Sequence, residues 1–260
     1  MANKVLSSAR NSKNDEFYTS DEDVEHELSH YVHSFQKKIV FCNANDSQDS
    51  AFVRYFIQNF NALGLRRLIS ISFCPQIDLF STCVAKRIIY EGSQVEVQEL
   101  KGDGDFRSAE SLYSLQESDI VVTNPPFSLF GEFVSLMMSF NKKFIVLGNQ
   151  NAITYKKVFP LLKDNRIWLG HHFGEMKFKI PYNSEPKETR FWEDAAGQKW
   201  RSLGNVCWYT NIDIIKRHER LRLQKKYSPE HYPKFDNFDA INVDRVNDIP
   251  CDYEGNRVER

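Results

Sequence analysis

The chain has 260 residues, 41% hydrophobic and 13% aromatic, with a formal net charge of −1 and five cysteines. That length suits one domain with an appendage, and a mean hydropathy of −0.52 without a long apolar run excludes a membrane-spanning helix. The charge balance excludes a uniformly basic molecule, so any surface for a polyanion must be local; cysteines at 42, 74, 83, 207 and 251, odd in number and without C-x-x-C spacing, argue against a disulfide framework or structural zinc and fit a reducing cytoplasm.

Taken in order, residues 1–13 carry Lys4, Arg10 and Lys13 with no acid and read as a flexible basic arm. Ser20 or Asp21 caps a helix in which Val24, Leu28, Tyr31 or Val32, and Phe35 share a face. His26, His30 and His33 lie on the neighbouring stripe, a solvated face rather than a metal site because no carboxylate or cysteine partner is evident. Residues 38–43 form a buried strand, followed by a polar turn and an amphipathic helix with Phe52, Phe56 and Phe60 on one face and Gly64 as its stop signal. Strand, turn and helix at the start of an α/β domain mark a nucleotide-like cofactor site, here without a glycine-rich fingerprint.

Residues 67–73 form a second strand with no acid at its end for a ribose, and 87–90 with 94–100 form a hairpin. Residues 101–108 hold glycines only at 102 and 104, too few for a phosphate loop, and a helix runs over 108–117. The strand 120–122 leads into N-P-P-F and a helix marked by Phe130, Phe133, Val134, Met137 and Met138. A strand at 143–148 and a helix over 154–162 follow. This alternation predicts an α/β fold with a mostly parallel central sheet and helices on both faces. From Arg166 the pattern changes to strands at 166–171, 175–180, 189–192 and 205–210, an antiparallel closure; His171 and His172 are structural, since nothing like a triad surrounds them. Lys216, Arg217, Arg220, Arg222, Lys225 and Lys226 face only Glu219 and serve either as contacts to a phosphate backbone or as a solvated helix face. Residues 227–260 lack periodicity and read as surface loops.

The chemistry concentrates in Asn124, Pro125, Pro126 and Phe127. Two prolines donate no main-chain hydrogen bond and stiffen the turn. The Asn124 side-chain oxygen and the Pro125 carbonyl can together accept both hydrogens of one amino group, while Phe127 stacks on a planar base. An aromatic amine is a poor nucleophile; holding both N–H groups out of the ring plane localises its lone pair and aims it at an electrophile.

This tetrapeptide resembles motif IV of the S-adenosylmethionine-dependent amino methyltransferases, and residues 119–130, D-I-V-V-T-N-P-P-F-S-L-F, resemble the EcoRI-type adenine-N6 DNA methyltransferases. Residues 15–19 (D-E-F-Y-T), 101–108 (K-G-D-G-D-F-R-S), 143–155 (K-F-I-V-L-G-N-Q-N-A-I-T-Y), 167–170 (I-W-L-G) and 232–250 resemble that family's blocks in the family's order. The resemblance implies a Rossmann-like class I methyltransferase sheet closed by an antiparallel hairpin, divided into an arm with motif X (1–19), a catalytic domain (20–211) and a basic, loop-rich tail (212–260). It places Tyr18 and Thr19 beside the methionine end of the cofactor. Asn43, Asn45 and Asp46 stand for motif I, with Ser47 where Pro is expected; Asp46 meets the cofactor's ammonium group, caps the following helix, or does both. Asp103 or Asp105 accepts from the cofactor adenine while Phe106 packs on its ring, and Asn124 touches both cofactor and base. Trp208 and Tyr209, in a string resembling motif VIII, wall the pocket for the extruded base or fill the core.

The implied reaction moves a methyl group from S-adenosylmethionine to N6 of a flipped adenine in double-stranded DNA, without metal, in restriction–modification or phage DNA protection, in the cytoplasm of a prokaryotic or phage-infected cell. A monomer is expected. Family members continue past the block matching 232–250, and that further chain helps read the DNA sequence, so the expectation is a short form with a truncated recognition part, reduced target recognition, or a second polypeptide that supplies it. The alternatives are methylation of RNA adenine or a protein glutamine, or a catalytically inactive DNA-binding relative.

Overall fold

The computed structural model describes residues 18–45, 50–74, 84–180, 189–219 and 222–253. They fall into two compact units, the first ending at Ile214 and the second starting at Ile215. In the first, β1 (Tyr18–Thr19) leads into α1 (Asp21–Leu28), β2 (Ile39–Asn45), α2 (Ala51–Gln58), α3 (Phe60–Leu63) and β3 (Arg67–Ser72). The hairpin β4 (Lys86–Tyr90) and β5 (Val95–Glu99) follows, then α4 (Ala109–Glu117), β6 (Ile120–Thr123), α5 (Phe130–Ser139), β7 (Lys143–Asn149) and α6 (Phe159–Lys163). The unit closes with β8 (Trp168–Lys179), β9 (Phe191–Glu193) and β10 (Lys199–Thr210).

The strands make one sheet in the order β1-β8-β10-β7-β6-β2-β3-β4-β5, with β9 on β10. Its centre, β7-β6-β2-β3, is parallel; β4 and β5 extend one edge as the expected antiparallel hairpin, and β10 with β8 closes the other. Side chains alternate across this sheet. Val40, Cys42, Val122, Ile145 and Trp208 pack beneath α1, α2 and α3, whereas Ile39, Phe41, Val121, Phe144 and Tyr209 pack beneath α4 and α5. The α/β fold with helices on both faces follows directly from buried runs that are apolar at every position.

Ser20 caps α1 by accepting from the amide of Asp23 at 3.1 Å, and Tyr31 rather than Val32 enters the core. Past Leu28 the helix tightens into a 3-10 run, Ser29–Phe35. Gly64 ends α3 at φ 60°, in the left-handed region where glycine is favoured.

Three expectations need correction. The helix over 154–162 is instead a 3-10 turn, Gln150–Thr154, and the short α6, because Pro160 lacks an N–H and tolerates only a first helical turn. The separate strands at 166–171 and 175–180 are one strand, β8. Gly174, at φ 113°, lies where its pairing with β10 shifts register, so the irregularity is absorbed as a bulge and the strand continues. Cys42, Cys207 and Cys251 are free thiols, but Cys74 is disulfide-bonded.

The second unit is more than loops. β11 (Lys234–Phe235) pairs with β12 (Phe238–Ile241), and Tyr227 stacks near Tyr232 and Tyr253 at ring separations of 6.4 and 5.1 Å. Among the described residues no helix is long and apolar enough to cross a membrane.

Candidate active site

From β2 the chain moves to β3 on one side, then returns through β4, β5 and α4 to place β6 on the other side. The crevice outside the carboxyl ends of β2 and β6 is therefore a topological switch point, the place where open α/β sheets bind ligands. Thr123, wholly buried at the end of β6, donates its hydroxyl to the carbonyl of Asn43 on β2. The side-chain oxygen of Asn43 is buried with no hydrogen-bond partner, an arrangement that costs free energy unless something else donates.

Asn124 follows directly. Its Nδ2 donates to the Thr19 hydroxyl on β1 at 3.3 Å, which turns the carbonyl end of the amide away from Thr19. Thr19 is held in turn by pairing of β1 with β8. Pro125 is buried, and among the described residues no donor meets its carbonyl. Phe127 is half-buried, at the start of a 3-10 turn closed by the Leu129 amide on the Pro126 carbonyl at 3.0 Å. The structure thus brings Thr19, Asn43 and Asn124 to one crevice, with two fixed oxygen acceptors and an aromatic face in the turn.

Residues 101–108 dock on the carboxyl end of β3. Glu110 of α4 accepts from the amides of Lys101 and Gly102 at 2.9 and 3.0 Å, and the Asp103 carbonyl accepts from the amide of Cys74 at 2.8 Å. Gly104 lies so close to β3 that a Cβ would fall 2.1 Å from the Ser72 carbonyl oxygen, so only glycine fits. The choice between Asp103 and Asp105 narrows here. Both oxygens of Asp105 are taken by Arg107, at 2.7 and 2.8 Å, so its carboxylate serves the loop. Asp103 uses one oxygen to accept from the Asp105 amide.

Three of the other expected site residues, Phe106, Trp208 and Tyr209, belong to the core. Phe106 is 4% exposed and packs edge-on against Phe133 at 5.2 Å, so its ring belongs to the core. Trp208 and Tyr209 are wholly buried, which removes the pocket-wall reading: adjacent residues on a strand face opposite ways, and both faces of β10 are covered. Trp208 meets Phe52, and the Tyr209 hydroxyl donates to the Asn149 carbonyl at 3.0 Å, anchoring the end of β7; burial raises that phenol's pKa. Tyr18 is half-buried on β1. Asp46, Arg220 and the Asn45 side chain lie outside the described residues.

Among its described residues the basic segment forms no α-helix. Lys216 and Arg217 lie on a 3-10 turn, Arg222 and Lys226 are exposed in irregular chain, and Lys225 pairs with Asp248 at 2.6 Å. On the first unit His30 stacks on His171 at 3.8 Å and His26 meets His172 edge-on at 4.8 Å. Among the described residues no group of three or more histidines, cysteines or carboxylates could hold a metal ion. Sequence reasoning missed Thr123, the pin between β2 and β6. Its position directly before Asn124 at the end of an apolar strand was the available signal.

The family described as adenine-specific methyltransferase EcoRI matches residues 5–257. The chain is 43% identical to type II methyltransferase M.EcoRI of Escherichia coli over 271 aligned positions, 97% of this chain and 82% of that one. It is 38% identical to type II methyltransferase M.MpnI of Mycoplasma pneumoniae over 95% of this chain and 77% of that one. With Asn124 to Phe127 at the sheet's switch point and a family match across nearly the whole sequence, this chain belongs to the EcoRI family of adenine-specific methyltransferases.

Proposed function

We propose that this enzyme methylates N6 of an adenine flipped out of double-stranded DNA, with S-adenosylmethionine as donor, in the setting of restriction and modification suggested by its type II relatives. The carrying observation is the crevice at the carboxyl ends of β2 and β6, where Thr19 orients Asn124 and where Asn43, tied to β6 through Thr123, keeps an orphaned amide oxygen. Inside a duplex the target amine is stacked and paired, so it must be extruded to reach such a crevice. The Asn124 oxygen and Pro125 carbonyl accept from its two N–H groups, and Phe127 stacks on the base. Neutral acceptors suffice because the amine needs its lone pair localised and aimed rather than a strong base.

The residues present fit the cofactor. The buried Asn43 oxygen calls for a donor, and Asp103, at the carboxyl end of β3, keeps an acceptor oxygen for an adenine amino group. When bound, the cofactor supplies an electrophilic sulfonium methyl group. Thr19 and Asn124 hold the acceptor side of the crevice in register with it, and the buried Pro125 excludes water from beneath the turn.

Tritium transfer from labelled S-adenosylmethionine to mixed-sequence duplex DNA, beside RNA and protein substrates and an Asn124→Ala control, tests this reading. Label in DNA that the control loses by at least about a hundredfold is expected. Label confined to RNA or protein would replace the substrate, and cofactor binding without transfer to any of the three would mark an inactive relative.

A further inference from the structure

A second cleft opens next to the catalytic turn. It has a volume of about 290 Å³ and is walled by Ser128, Leu129 and Glu132 on one side and by Tyr155, Lys156 and Lys157 on the other. The walls meet at Gly131, where a Cβ would lie 3.6 Å from the Lys157 Cβ and 3.9 Å from the Tyr155 ring. Both walls sit at the carboxyl edge of the sheet: Ser128 follows Phe127, and the Tyr155 segment follows β7, whose Val146 pairs with Thr123 of β6.

The cleft is electropositive. Lys156 and Lys157 are exposed, and neither has a carboxylate partner among the described residues. The acid that lines it, Glu132, lies 3.5 Å from Arg107, which it shares with Asp105, so its charge is partly countered and the two lysines leave the cleft net positive. Ser128 adds an exposed hydroxyl, and Leu129 and the Tyr155 ring add apolar surface. Ammonium and hydroxyl donors suit the two non-bridging oxygens of a phosphodiester, and the apolar wall suits the sugar beside it.

The geometry points to a phosphate subsite for the DNA strand that carries the extruded adenine, with Lys156 and Lys157 as its charged donors. The assignment rests on the proposed DNA substrate and adds to it. A base held by Asn124 and Phe127 brings its own backbone against the residues that follow Phe127, and that stretch is one wall of the cleft. Two cations there position the strand without reading its sequence. In a chain of net charge −1 such a local pair is the kind of surface a polyanion requires.

Lys156→Gln with Lys157→Gln in the full chain tests the subsite, with Lys37→Gln and Lys38→Gln as the charge-matched control. Lys37 and Lys38 precede the amino end of β2, at the opposite edge of the sheet from the crevice. Affinity for a fluorescein-labelled mixed-sequence duplex is measured by anisotropy across a salt series. The 156/157 variant is expected to lose about one unit from the slope of log K against log salt, since each neutralised phosphate contributes about 0.9. Its KM for DNA should rise about tenfold or more near 0.15 M salt, with cofactor affinity and melting temperature unchanged. An unchanged slope in that variant, or an equal loss in the control, would overturn the subsite while leaving the DNA reaction standing. Wild-type protein that binds and methylates no duplex would bring down the DNA reading and the subsite with it.

Discussion

Thr19, Asn124 and Glu27 show what a single polar side chain does when it is taken out of water. Thr19 fixes the amide of Asn124 through one hydrogen bond of 3.3 Å. Thr19→Val removes that acceptor while keeping the shape, and kcat is expected to fall about tenfold, the value of one net hydrogen bond; Thr19→Ser should restore most of it. Equal kcat for the valine and serine variants would show that Asn124 is oriented by something else. Glu27 works for the fold instead. Wholly buried, it accepts from the Tyr31 hydroxyl at 2.8 Å and from the amides of His171 and His172 at 2.9 and 2.7 Å, tying α1 to β8. Gly170 makes room for it, since a Cβ there would lie 2.2 Å from its Oε1. Glu27→Gln puts an NH2 against donors and should cost about 2–4 kcal/mol by urea denaturation. A loss below about 0.5 kcal/mol would mean the site relaxes around the amide. Nothing in the sequence announced this role, because an acid on an amphipathic helix normally faces solvent.

At the scale of elements, the loop 101–108 is fastened from several sides. Ser108 caps α4 by accepting from the Ser111 amide at 3.2 Å, and Arg107 joins Asp105 to Glu132 of α5. Ser108→Ala should cost about 1 kcal/mol of stability, read as a lower urea midpoint. Burial pushes the Asp105 carboxyl up, the hydrogen bonds from Arg107 pull it down, and the net result lies below the ordinary aspartate value. A carboxyl lowered in the folded state adds stability that is fully present above the unfolded value, about 4, and is lost as pH falls through the folded one. Arg107→Gln is therefore expected to be less stable than wild type at pH 7, with the gap closing below about pH 4. A gap that stays constant in acid would show that the pair contributes no linked stability.

The elements also show what was legible in advance. The central strands were readable because their apolar runs are continuous, and the N-P-P-F turn because two prolines after an asparagine leave few conformations. β8 was misread as two strands because Gly174 looks like a break in sequence and acts as a bulge in a sheet with a long partner. The helix expected over 154–162 failed at Pro160 for a reason the sequence already contained.

For the whole molecule, the switch between β2 and β6 gathers into one crevice residues that are far apart in the chain, Thr19, Asn43 and Asn124, and the loop of Asp103 docks on the neighbouring β3. Family motifs located these positions, but only the topology separates those that face the crevice from those that build it. Phe106, Trp208 and Tyr209 carry motif positions and are core, while Thr123 and Gly104 shape the crevice without reaching a ligand. Asp119, the first residue of the string 119–130, works at the other edge of the sheet, where its carboxylate accepts from the Ile39 amide at 2.8 Å. A motif therefore mixes chemistry with scaffolding, and burial sorts one from the other.

Nucleoside analysis tests the central claim most directly. Duplex DNA incubated with the enzyme and S-adenosylmethionine is digested and its nucleosides separated by mass, beside the Asn124→Ala variant. N6-methyldeoxyadenosine from the wild type, absent from the variant at equal folded concentration, is the predicted result. Unmodified deoxyadenosine from both, or a methyl group on another base, would contradict it.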